Sequence, residues 1–232
     1  MATPEVAILI STRNRYRELC RAVDSCLRQD SVELEIVICD DASSDETPRI
    51  SKYDHRIRYY RSETVLGIGA QRAAGLVRCR APFVLSLDDD AFLVSPYTLD
   101  KALTSIRLHS DSGALALPYM EIRGQNLSYH AGDQVCELRN FIGCAGLLNK
   151  PKVLESGSFP TWIGIWGGED REVAFRLWER GWPILYDPSI PPLVHLPSTV
   201  RSRADMSFYA VSYTHLRAHE TPEHLVCRLL LE

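Results

Sequence analysis

Three adjacent carboxylates, Asp88, Asp89 and Asp90, follow the apolar run 82–87. Side by side they repel one another, and a divalent cation removes that repulsion. Mg2+ or Mn2+ takes hard oxygen ligands and keeps positions open for phosphate oxygens. The triplet therefore reads as a metal–diphosphate site; the plainer reading is an acidic turn before Ala91 and Phe92. A second acidic turn, Asp40-Asp41-Ala-Ser-Ser-Asp-Glu-Thr, follows the apolar run 34–39. Such a turn commonly caps the next helix. As a binding element, Asp41 would accept the N3–H of a uracil or thymine ring and so select a pyrimidine that carries a donor there.

Three further segments carry chemistry. Gly67-Ile-Gly-Ala-Gln-Arg72 opens a helical pattern, where glycines let backbone approach phosphate and a helix N-terminus favours anions. Arg72 follows one turn later, either reaching the base or diphosphate or standing as a surface arginine. Trp166-Gly-Gly-Glu169-Asp170 opens a second helical pattern. Acidic residues there suit the helix dipole, which accounts equally for Glu169 and Asp170. It does not account for the glycine pair and the tryptophan, which suit a site that admits a ligand closely. Asp170 is in phase with Val173, Ala174 and Leu177, so it is expected on the crevice side. Last, His195 in Val194-His195-Leu196 is either structural or a third protein ligand for the proposed metal.

These groups need a scaffold that gathers them. Short apolar runs at 6–10, 34–39 and 82–87 alternate with helical spacing at 15–29, 69–78 and 97–109, and 57–60 is a weaker, edge-like strand. Such alternation predicts a mostly parallel α/β sheet covered by helices on both faces. Ligands bind such sheets beyond the carboxyl ends of the strands. Ser11, Thr12, Arg13 and Asn14, then Asp40 and Asp41, then the acidic triplet all fall there. From about residue 113 the pattern changes. Segments 114–119, 127–138, 183–186 and 193–196 are strand-like, 141–148 is broken by glycines, and 169–180 is an amphipathic helix ending at Gly181. The expectation is a nucleotide-binding half over about 1–112 and a smaller acceptor-side and catalytic half over about 113–210.

Composition sets outer limits. At 232 residues with 45% apolar and 24% charged residues, the chain suits one globular domain. A net charge of −4 argues against a nucleic-acid binder. Seven cysteines without a tight CxxC pair read as free thiols in a reducing compartment. Neither a signal-peptide core nor a membrane-spanning run is seen, so a cytoplasmic location is expected. Residues 211–232 break the preceding pattern and hold His215, His219 and His224. They resemble a translated sequencing-adapter string found at the ends of unrelated assembled genes. They are expected to be a non-native tail on a protein that is naturally longer; the alternative is a C-terminal helix with an apolar end.

In order and spacing, the segments over about 5–210 resemble the family 2 inverting glycosyltransferases of GT-A fold. The matching pieces are Ile-Leu-Ile-Ser-Thr-Arg-Asn-Arg, Ile-Val-Ile-Cys-Asp-Asp-Ala-Ser-Ser-Asp, the Leu66–Arg72 and Val84–Asp90 blocks, Gly-Gly-Glu-Asp-Arg-Glu and Val-His-Leu. The resemblance implies a Rossmann-like donor domain in which Ser11, Arg13 and Asp41 line the base and ribose. Arg72 would contact the nucleotide. Asp88 would lie near the ribose, with Asp89 beside it in the donor site, and Asp90 would hold Mn2+ or Mg2+ with help from His195. Asp170 would be the catalytic base. Arg13 departs from the pattern, since many members carry a smaller or aromatic residue there, and the acceptor-side tail after Ala210 is missing, which puts the activity of this chain in question.

The implied reaction is one inverting displacement, moving sugar from a UDP- or dTDP-linked donor to a saccharide or lipid-linked acceptor. Bacterial members of the family often build surface polysaccharide at the inner membrane face, which suggests peripheral membrane association. Two rivals remain. A sugar-phosphate nucleotidyltransferase would favour a Gly-rich basic loop after the first strand, and Ser11-Thr-Arg-Asn-Arg lacks glycine. A non-catalytic nucleotide-sugar-binding module would lack the triplet or Asp170, and both are present.

Overall fold

The computed structural model describes residues 3–123, 126–130, 133–161 and 168–196. Trp166 and Gly167, read as suiting a site that admits a ligand closely, lie outside them, as does the tail 211–232.

The first three parallel strands are β1 (Val6–Thr12), β2 (Leu34–Asp40) and β3 (Ile57–Arg61). Helix α1 (Tyr16–Leu27) links β1 to β2, and α2 (Ile68–Arg78) leads to β4 (Phe83–Asp88). Then come β5 (Ala91–Leu93), α3 (Thr98–Leu108), β6 (Ala114–Ala116), β7 (Tyr119–Arg123), β8 (Asn126–His130) and β9 (Cys136–Leu138). The order closes with β10 (Gly146–Asn149), α4 (Lys150–Glu155), α5 (Glu169–Glu179), β11 (Ile184–Tyr186) and β12 (Leu193–His195). An eight-stranded sheet has the order β3-β2-β1-β4-β10-β6-β11-β9. Within it, β10 runs antiparallel to both β4 and β6, and β9 antiparallel to β11.

Alternation along the central strands builds two cores. Ile8, Ile10, Ile36, Ile38, Leu85 and Leu87 face α1 and α3, meeting Leu19, Val23, Leu99 and Leu103. Ala7, Leu9, Val37 and Val84 face the other way, toward Leu76 of α2 and Val173, Ala174 and Leu177 of α5. Each fully buried Leu or Ile contributes about 1.5–3 kcal/mol relative to exposure. Burial on both faces explains why these strands read as unbroken apolar runs.

Three expectations are corrected in detail. The single strand expected over 114–119 is two, because Pro118 has no N–H to donate and the chain leaves the large sheet there. Segment 127–138 likewise divides into β8 and β9. A second, four-stranded sheet, β5-β12-β7-β8, was not anticipated. Its strand β5 follows directly on the acidic triplet.

One buried carboxylate ties the sheet's lower edge together. Glu35, 1% exposed on β2, accepts hydrogen bonds from the Arg80 and Ala81 backbone N–H groups and pairs with the Arg58 and Arg80 guanidiniums. Burial alone would raise its pKa, but those donors outweigh it and the pKa falls below the ordinary value. Glu35→Ala, which orphans the Ala81 N–H, is expected to lower unfolding free energy by about 2–3 kcal/mol at pH 7. Because the folded pKa is depressed, this contribution is complete above the usual carboxylate range. It fades as pH falls through the folded value. Urea denaturation of both proteins at pH 7 and pH 3 should therefore show the gap closing at the lower pH.

Candidate active site

The ends of β1, β2 and β4 meet as the parallel register requires: Ser11 pairs with Cys39 on one side and Asp88 on the other, and Thr12 with Asp40. The turns beyond β1 and β2 brace each other. The Asn14 N–H donates to Ser43 Oγ (2.9 Å), and Asn14 Oδ1 accepts from the Ser44 N–H (2.7 Å). Arg13 is half-buried just past β1, and Ser11 Oγ is buried without a hydrogen-bond partner.

The triplet divides its labour. Asp89 is turned inward, accepting from Thr12 Oγ1 (2.8 Å) and from Arg15 Nη1 (2.9 Å). Burial pushes its pKa up to about 7, against the opposing pull of Arg15. Asp90 receives the same Arg15 Nη1 on Oδ2 (2.7 Å) and His195 Nε2 on Oδ1 (3.2 Å). Burial opposes its ionisation, but His195 and Arg15 outweigh it and the pKa is lowered. The imidazole shows the mirror effect: burial works against its charge, yet Asp90 and Asp88 raise its pKa. Asp88 keeps 29% of its side chain exposed.

The second sheet delivers His195. β12 pairs antiparallel with β5 so that His195 stands opposite Ala91, next to Asp90, and the Leu196 N–H donates to the Asp90 carbonyl (2.9 Å). One ligand atom from each of Asp88, Asp90 and His195 falls within a mutual 4.8 Å. Two hard carboxylate oxygens and an imidazole nitrogen, partly open to solvent, form a donor set that fits Mn2+ or Mg2+.

Asp41 is buried and already engaged. It accepts from the Leu66 N–H (2.7 Å), the Gly67 N–H (3.0 Å) and Gln71 Nε2 (2.8 Å), fixing the loop that enters α2. The expectation of an open glycine-lined helix start is thereby revised. The Gly67 amide serves Asp41, and Gly69 is small because a Cβ there would stand 2.4 Å from the Pro160 carbonyl oxygen.

Arg72, read as a nucleotide contact, is buried within the protein and forms ion pairs with Glu169 and Asp88. Asp170, in the first turn of α5, is half-buried, and its Oδ2 accepts the Gly143 N–H (3.0 Å). A Cβ on Gly143 would lie 2.6 Å from Arg72 Nη1, so any side chain there would displace that guanidinium. Sequence reading named Thr12 only as one of the strand-end groups and missed Arg15, Gly143 and the buried role of Glu169. Only Arg15 carried a signal, as a cation just beyond a strand end.

The sequence and the fold match known proteins. The profile of glycosyl transferase family 2 matches residues 7–153, more than half of the chain. The chain therefore belongs to glycosyl transferase family 2. It is 34% identical over 108 residues to chondroitin synthase of Escherichia coli, covering 45% of this chain and 16% of that protein. It is 35% identical over 97 residues to the GalNAc(5)-diNAcBac-PP-undecaprenol beta-1,3-glucosyltransferase of Campylobacter jejuni, covering 40% and 31%. The chain thus spans less than a third of either relative. Among solved structures, S. aureus TarS 1-349 with UDP-GlcNAc superposes with a TM-score of 0.75 at 19% identity, over 89% of this chain and 64% of that one. GalNAc-T7 with UDP, GalNAc and Mn2+ gives 0.73 at 16% identity, over 90% and 47%. These likenesses show a GT-A fold. Among the described residues, no helix is long and apolar enough to cross a membrane.

Proposed function

We propose that this chain transfers a sugar from a nucleoside-diphosphate sugar, UDP- or dTDP-linked, to an acceptor hydroxyl with inversion at the anomeric carbon. The observation that carries the reading is the convergence of Asp88, Asp90 and His195 from two different sheets at the carboxyl ends of the parallel strands. These three would hold Mn2+ or Mg2+, which when bound offsets the charge of the departing nucleoside diphosphate. Arg15 and Thr12 keep Asp89 and Asp90 aligned behind it. Ser11 and Arg13 line the base and ribose. Asp41 shapes the same pocket through the Leu66–Gly67 backbone that it holds. Asp170, oriented by the Gly143 N–H, takes the proton from the attacking hydroxyl. With the metal relieving the leaving group, no second carboxylic acid is needed, unlike a glycosidase.

The names of the relatives support a saccharide or lipid-linked acceptor and a place in bacterial polysaccharide or glycoconjugate synthesis; a cytoplasmic site of action, peripheral to the membrane, is part of the same proposal. The nucleotide-binding half is 1–112 and the acceptor half 113–210. Calorimetric titration of UDP, dTDP and GDP tests the donor site, in Mn2+ and then in EDTA. Metal-dependent binding of UDP or dTDP is expected. A folded sample that binds only GDP would overturn the donor assignment, and a product of retained configuration would overturn the displacement.

A further inference from the structure

Arg72 holds two carboxylates at once. Its Nη1 donates to Glu169 Oε1 and its Nη2 to Asp88 Oδ1. Asp88 belongs to the strand-end cluster that fits a cation. Glu169 opens α5 immediately before Asp170. The two acidic groups are 81 residues apart in sequence (169 less 88) and lie on different elements. Arg72 is 2% exposed and Glu169 3% exposed, so the charges meet with little water between them. The second carboxylate oxygen of Glu169, Oε2, is buried and has no hydrogen-bond partner among the described residues. A buried acceptor left open is costly unless some state of the protein uses it.

A cation at the Asp88–Asp90–His195 cluster would compete with Arg72 for Asp88. The open Oε2 offers the displaced Nη2 a second place on Glu169, turning a single contact into a bidentate pair. The guanidinium has little freedom to leave otherwise: it fills the space where a side chain on Gly143 would stand and lies over the Phe159 ring, 6.0 Å from the centroid.

We propose that Arg72 and Glu169 are positioning residues that hand Asp88 from an internal ion pair to the incoming cation, while keeping the start of α5, and with it Asp170, fixed against the donor site. The inference rests on the metal-dependent donor site proposed above. Arg72 then acts as a place-holder cation, and Glu169 sets how strongly it competes. Removing the guanidinium should tighten metal binding. Removing only the Glu169 charge should weaken it, because Arg72 would lean fully on Asp88.

The test is Mn2+ affinity in the presence of UDP, measured by calorimetry for wild type, Glu169→Gln, Arg72→Met and the double variant, with thermal unfolding as the check on folding. Glu169→Gln should bind Mn2+ about 3–10-fold more weakly and Arg72→Met about 3–10-fold more tightly, the size expected for one charge removed a few ångströms away. The double variant, which leaves no unpaired buried charge from this pair, should match Arg72→Met, because Glu169 acts only through Arg72. Shifts of the same sign in both single variants, or a Glu169 effect that persists without Arg72, would overturn the proposal. A wild-type protein that binds Mn2+ and UDP while all variants match it would also overturn it, leaving the donor site intact. Absence of Mn2+-dependent binding in wild type would instead remove the donor-site reading on which it stands.

Discussion

Asp170→Asn should leave Mn2+-dependent nucleotide binding at the wild-type level and cut sugar transfer by about 10²–10⁴-fold, the usual contribution of a positioned general base. The amide oxygen can still accept the Gly143 N–H, while the local Arg171 N–H contact made by the other carboxylate oxygen is given up, so the basicity is the main loss. The split between binding and turnover is the informative part. An interaction made only in the transition state shows in kcat, whereas a ground-state contact would show in KM. Transfer from the donor to a panel of saccharide acceptors measures it. A variant that retains wild-type turnover would move the base elsewhere and leave Asp170 as a helix-start residue, favoured by the dipole alone.

Asp90→Ala is expected to have a comparably large effect through a different route. Asp90 is held by Arg15 on one oxygen and His195 on the other, and its backbone carbonyl accepts the Leu196 N–H. Removing its carboxylate takes one ligand from the cluster and frees His195 from its ionic partner. Nucleotide binding in Mn2+ should drop to the level seen in EDTA, and turnover should fall by at least about 10²–10³-fold, the cost of removing one preorganised electrostatic contact. The remaining Asp89–Arg15–Thr12 contacts keep the turn closed, so circular dichroism should match wild type. Unchanged UDP affinity with and without Mn2+ would dissociate the acidic cluster from the donor.

The donor half was legible because its chemistry follows long, fully buried strands. The run ending at Asp88 has an apolar length that marks a central strand, and parallel topology places its end beside Ser11. What stayed hidden depends on contacts without local periodicity. β12 showed as a strand-like segment at 193–196, but β5, three residues long, did not, so the pairing that carries His195 to Asp90 left no pattern in the sequence. Glu169 and Asp170 were indistinguishable as first-turn acids. Only packing shows that Glu169 is buried under Arg72 while Asp170 remains half-exposed. Arg72 was read as reaching a ligand because an arginine after a glycine-rich helix start ordinarily points outward. Its guanidinium occupies space that a side chain on Gly143, 71 residues away (143 less 72), would fill. Asp41 was recognised as a strand-end acid, but its burial and the loop it binds could be identified only from the three-dimensional path.

The insertion of β10 between β4 and β6 bears on how the chain assembles in time. Strands β1, β2 and β4 leave the ribosome with everything they need to pair with one another, yet the free edge of β4 has no partner until residues 146–149 have been made. During that interval the growing chain carries a bare, apolar strand edge, the kind that recruits neighbouring nascent chains. The later strand therefore does more than widen the sheet: it covers the edge of β4, and the open edge passes outward to β6 until residues 184–186 have been made.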